Sequence, residues 1–181
     1  MAVVIRSGSR PNRSLASHAP VGAVIASARV AEPFWRPGSA EVFRHGYTYS
    51  AHPTACAVAA ANLDLIEREQ LVARVARLEP VLARAVAPLA GHELVGEVRA
   101  GTGLLAAVEI AEGARAADPG IGARLVTEIR ERGVITRLLR GVALQISPPF
   151  VITEAEIDRI AEVFAAALDA VAAGQRSAHP S

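Results

Sequence analysis

The chain has 181 residues and a mass of 18.9 kDa; 51% of the residues are apolar and 20% charged, which excludes a disordered chain and suffices for a sizeable core. A net charge of +1 excludes the basic stripe that nucleic acid demands. One cysteine, Cys56, excludes an intrachain disulfide, and no charge-free apolar run is long enough for a membrane span, so a reducing compartment, the cytoplasm, is expected.

Residues 1–19 carry Arg6, Arg10 and Arg13, several serines and no acid. That composition suits a disordered start or an organellar transit segment. Val21 to Ala26 is a short β-branched run and reads as a buried strand. Glu32 to Ala40, with Pro33, Pro37 and Gly38, reads as a loop. A polar-aromatic segment without a period follows, from Val42 to Pro53.

Thr54 to Arg68 reads as a helix, apolar nearly all round at its start and therefore expected to be buried on every side. Leu71, Val75, Leu78, Leu82, Ala85 and Leu89 then form one helical stripe, which Pro80 should kink or split and Gly91 should stop. Leu94 to Ile110 reads as two strands around a turn at Arg99–Gly103. Asp118-Pro119 marks a helix start; Ile121, Leu125 and Ile129 share its face, and Gly133 closes it. Val134–Arg137 and Val142–Ser147 read as short strands separated by Arg140-Gly141 and ended by Pro148-Pro149. Thr153 and Glu156 form a capping box for a last helix with a stripe of Ile157, Ile160, Phe164, Leu168 and Val171. Residues 174–181 read as a polar tail.

Several apparent sites dissolve on inspection. His45, His52 and His92 fit no metal-ligand spacing. Ser50 and His52 lack the G-x-S-x-G context of a hydrolase. Gly101-Thr102-Gly103 lacks the third glycine and the helix of a dinucleotide fingerprint. Cys56 reads as a small buried hydrophobe.

The string Phe43-Arg44-His45-Gly46-Tyr47-Thr48-Tyr49-Ser50-Ala51-His52-Pro53 resembles a segment of the class III aminotransferases. So do Val95-Gly96-Glu97-Val98-Arg99, the run Gly103 to Glu109, and Ser147-Pro148-Pro149-Phe150-Val151-Ile152-Thr153, in the family's order. Ala51 departs from the pattern, where a glycine usually precedes the His-Pro pair. The resemblance covers residues 20–172. It implies an α/β fold of the type I pyridoxal-phosphate transferases. Residues 20–70 would be the end of a large cofactor domain with its linking helix, and residues 71–173 a small α+β domain.

The resemblance also implies pyridoxal 5'-phosphate as cofactor, an amino donor and a keto acid as substrates, and a homodimer as the working state. Thr48 matches the residue that binds the cofactor phosphate of the neighbouring subunit. Tyr47 matches a residue lining the substrate pocket across the dimer, and Arg137 one that holds a substrate carboxylate, with Arg140 close by. All 19 basic residues are arginine. The family's Schiff-base lysine falls at Asn12 or Arg13, and neither can form an imine. Three readings follow: an inactive C-terminal fragment of an aminotransferase, a non-catalytic subunit pairing with a complete one, and a free-standing interaction module.

Overall fold

A computed structural model describes residues 2–6 and 22–178, apart from residues 45, 47 and 49. The chain divides into two compact units, residues 1–70 and 71–181.

In the first unit, β1 (Ala2–Arg6) pairs antiparallel with β2 (Gly22–Ala26), so the expected disordered start contributes a strand. The β2 side chains are not the buried set expected of them: Val24 and Ile25 are 63% and 69% exposed. Among the described residues β1 is the only partner of β2, and a two-stranded ribbon has no second layer to cover it.

The predicted loop at 32–40 begins as a helix, α1 (Ala28–Trp35), with Pro33 inside it. Ser27 caps α1 by accepting from the Val30 N–H, and at its end Phe34 meets Trp35 and Phe43 edge-on while Trp35 lies tilted against Phe43. These contacts outweigh the one backbone bond that the proline removes. The next helix, α2 (Pro53–Arg68), starts with Pro53 in its first turn and His52 as N-cap. Its apolar side chains are not enclosed on every side: Ala55 alone is buried, and Cys56 is half-buried.

The second unit holds one core. Helix α3 (Leu71–Val86) buries Leu71, Leu78, Leu82 and Val86 and runs through Pro80 without splitting. A 3₁₀ turn at Ala87–Gly91 leads into β3 (Val95–Arg99), which pairs antiparallel with β4 (Ala106–Ile110). A short α4 (Glu112–Ala117), unmarked by any sequence signal, precedes α5 (Ile121–Glu131). Asp118 does not cap α5. Its side chain accepts from the Gly120 N–H and pairs with Arg124, and the helix starts after Gly120. Gly133, with φ of +90°, ends α5: its own N–H bonds Arg130 O, and that of Val134 bonds Ile129 O.

The hairpin β5 (Arg137–Leu139) and β6 (Ala143–Ile146) completes a sheet of order β3-β4-β6-β5, antiparallel throughout. The last helix, α6 (Glu154–Ala178), continues through most of the expected tail and packs on α3 and α5. Ile157, Val163, Phe164 and Leu168 are fully buried there. Gly122 lets α5 approach the sheet, since a Cβ at that position would lie 2.7 Å from Leu138 Cδ2.

Cross-strand register sorts the sheet into two faces. Val98, Val108, Leu144 and Leu138 are successive partners and contribute to the core. The adjacent row, Arg99, Ala107, Gln145 and Arg137, therefore lies on the opposite face.

Two outcomes test these local claims. Ala51 has φ of +57°, which costs a residue with a Cβ about 1 kcal/mol. Ala51→Gly is expected to stabilise the start of α2 by that amount, read as slower amide exchange along the helix; unchanged exchange would refute the strain. Glu156 accepts from the Thr153 N–H and hydroxyl at 2.8 Å each, and these bonds, the backbone one first, hold its carboxyl below the ordinary range. A carboxyl depressed in the folded state contributes stability above its unfolded value, and this is lost as pH falls through the folded value. Glu156→Gln should lower the melting temperature at neutral pH, and the gap from the wild type should close on acidification through the carboxylate range.

Candidate functional site

The residues singled out by sequence lie in different units. In the first unit Thr48 sits exposed in the turn that leads to α2. Its hydroxyl can donate to or accept from a phosphate oxygen. Tyr47 lies outside the described residues. His52 Nδ1 accepts from the Ala55 N–H at 3.4 Å, which occupies that nitrogen as a helix cap. His92 is similarly used, with Nδ1 accepting from the Leu94 N–H at 3.1 Å and Nε2 lying 3.5 Å from Asp169. No group of three metal-binding side chains gathers among the described residues.

In the second unit the chain turns between β5 and β6 at Arg140 and Gly141, both with positive φ, and Val142 N–H bonds Leu139 O at 2.9 Å. That turn fixes the register in which Arg137 faces Gln145. Arg137 is exposed on the face opposite the core, and its Nη2 donates to Gln145 Oε1 at 3.2 Å. Gln145 Nε2 in turn donates to Ser147 Oγ at 3.1 Å. Sequence reading missed Gln145 and the link of Ser147 to it, because the signal that joins them to Arg137 is a register and not a motif.

Arg137 differs from the other arginine of its row. Arg99 Nη1 donates to Glu109 at 2.6 Å and also to Glu97, so two carboxylates, Glu109 foremost, raise its pKa further and occupy it. Among the described residues no carboxylate pairs with Arg137. Its guanidinium therefore presents an uncompensated charge and four of its five N–H donors, a geometry suited to a carboxylate. Arg140 stands at the exposed tip of the turn and outside the paired row.

The Gly101–Gly103 turn is structural. Gly103 has φ of +59°, and its N–H donates to Glu79 Oε2 at 2.6 Å, which ties the β3–β4 connection to α3. Arg74 does similar work for the segment before α6: Nε donates to Phe150 O at 3.0 Å, and Nη2 to Val151 O and Ile152 O at 3.2 and 2.6 Å.

Among the described residues, the exposed hydroxyl of Thr48 is a group suited to the phosphate of pyridoxal phosphate. The cofactor's aldehyde finds no suited group, because the 181 residues include no lysine. The side chains present thus fit a phosphate contact and do not fit the covalent attachment of the cofactor.

Comparison with known proteins identifies the family. Residues 12–168 match the family model described as aminotransferase class-III. The mitochondrial γ-aminobutyrate transaminase 1 of Oryza sativa subsp. indica is 31% identical over 160 residues, which are 85% of this chain and 31% of that protein. The putrescine–pyruvate aminotransferase of Pseudomonas aeruginosa is 35% identical over 159 residues, 85% of this chain and 34% of that one. The structure of an (S)-enantioselective omega-transaminase from Thermomicrobium roseum superposes with a TM-score of 0.74 at 36% identity, over 85% of this chain and 35% of that chain. The chain thus spans about a third of the length of the relatives it matches, over a stretch that includes both the Thr48 turn and the Arg137 hairpin. With a family model matched along most of its length, the chain belongs to the class III aminotransferases, with their type I α/β fold.

Proposed function

We propose that this chain is the C-terminal part of a pyridoxal-phosphate-dependent aminotransferase and that its own residues serve substrate and cofactor recognition, not the chemical step. Arg137 holds the carboxylate of the keto acid. Thr48 contacts the cofactor phosphate of a neighbouring subunit, and Tyr47 lines the substrate pocket across the dimer. The cofactor, when bound, supplies the electron sink for amino-group transfer. The observation that carries this reading is the charge state of the sheet's open face, where Arg99 is neutralised by two carboxylates and Arg137 is held by a neutral amide.

The relatives named for γ-aminobutyrate and for putrescine and pyruvate support a donor with a terminal primary amine and a short 2-keto acid as acceptor. The absence of lysine supports an inactive chain, since guanidinium stays charged and cannot attack an aldehyde. A second reading, a non-catalytic subunit pairing with a complete one, draws on the exposed Thr48 turn beside the incompletely covered α2.

Two measurements test the proposal. The pure chain, supplied with pyridoxal phosphate, putrescine and pyruvate, is expected to give no transamination above the protein-free rate; turnover would overturn the lysine argument. Pyruvate should bind weakly, with a Kd on the order of 10 mM, the strength of a single charge-assisted contact of about 1.5–3 kcal/mol. Arg137→Gln should weaken this at least tenfold, whereas Arg140→Gln should leave it unchanged; the reverse pattern would move the carboxylate to Arg140.

A further inference from the structure

We propose that Gln145 is the positioning residue of Arg137: it fixes the guanidinium on the open face of the sheet without spending its charge. The inference rests on the carboxylate role of Arg137 given above. Three observations support it. The two residues are direct cross-strand partners on the face away from the core. The side-chain bond runs from Arg137 Nη2 to Gln145 Oε1 at 3.2 Å. The amide is itself held, its Nε2 donating to Ser147 Oγ at 3.1 Å.

The orientation of the amide follows from chemistry. Guanidinium has only donors, so the reverse amide orientation would set N–H against N–H; the oxygen must face Arg137 and the nitrogen Ser147. Thr136 adds a second hold, its hydroxyl donating to the backbone O of Gln145 at 2.8 Å. A long, exposed arginine otherwise loses considerable rotamer freedom on binding an anion, and ordering it beforehand removes part of that cost. An acid at 145 would order Arg137 equally well but would occupy it as a counter-ion, as Glu109 and Glu97 occupy Arg99. The amide is thus the acceptor that orients the cation and leaves it free for a substrate carboxylate.

The test uses the full chain with Gln145→Ala, Gln145→Glu, Ser147→Ala and Arg137→Gln. Two quantities are read: rotation of the Arg137 guanidinium by nitrogen-15 NMR, and the Kd of pyruvate. Gln145→Ala should speed the rotation and weaken pyruvate about threefold to tenfold, the worth of one hydrogen bond. Ser147→Ala should move both readouts in the same direction by less. Gln145→Glu should keep the rotation slow yet weaken pyruvate by roughly tenfold or more, a split that a merely structural role would not produce. Unchanged rotation and affinity in Gln145→Ala would overturn the inference, and so would wild-type affinity in Gln145→Glu. If Arg137→Gln binds pyruvate as the wild type does, the carboxylate role falls instead; the rotation rates then decide the pairing alone, and equal rates in wild type and Gln145→Ala overturn it.

Discussion

The second unit depends on the register of its antiparallel sheet. Val98, Val108, Leu144 and Leu138 form one row across all four strands, and α3, α5 and α6 supply the apolar surface of the core they enter. Because side chains alternate along a strand, this choice sends Arg99, Gln145 and Arg137 to the other face. A slip of one residue would turn Arg137 inward and put Leu138 and Leu144 in water, exchanging apolar burial for a buried, unpaired guanidinium. Packing and site therefore share one constraint, and the hydrophobic row aims the arginine.

Short polar devices hold that register. The Arg140-Gly141 turn sets the β5–β6 pairing, and Glu79 fastens the turn between β3 and β4 to α3. Arg74 gathers three carbonyls ahead of α6, and the Thr153–Glu156 box begins that helix. Each satisfies backbone groups that the sheet or a helix leaves open. The contrast between Arg99 and Arg137 arises on this scaffold: two arginines of one row, one neutralised by acids and one steadied by an amide.

Much of this was legible in the sequence where one local cause dominates. The Leu71 to Leu89 stripe, the capping box at Thr153, the turn at Arg99–Gly103 and the glycine stop at Gly133 each have a single physical reason. The readings that changed are those in which tertiary contacts compete with propensity. Pro33 sits in a helix because Ser27 and an aromatic cluster support it, and Asp118 turns to Gly120 and Arg124 instead of capping α5. The site divides in the same way. Thr48 and Arg137 stand out by motif resemblance, whereas Gln145 matters only through whom it faces, which no local pattern records.

The register can be read directly by thiol accessibility in a Cys56→Ser background. Arg137→Cys should react with a small maleimide nearly as fast as an unfolded thiol, and Leu144→Cys only at the rate of global unfolding. Protection of the thiol at 137 together with free reaction at 144 would show the opposite face turned inward, and the account of Arg137 as an open-face carboxylate holder would fail.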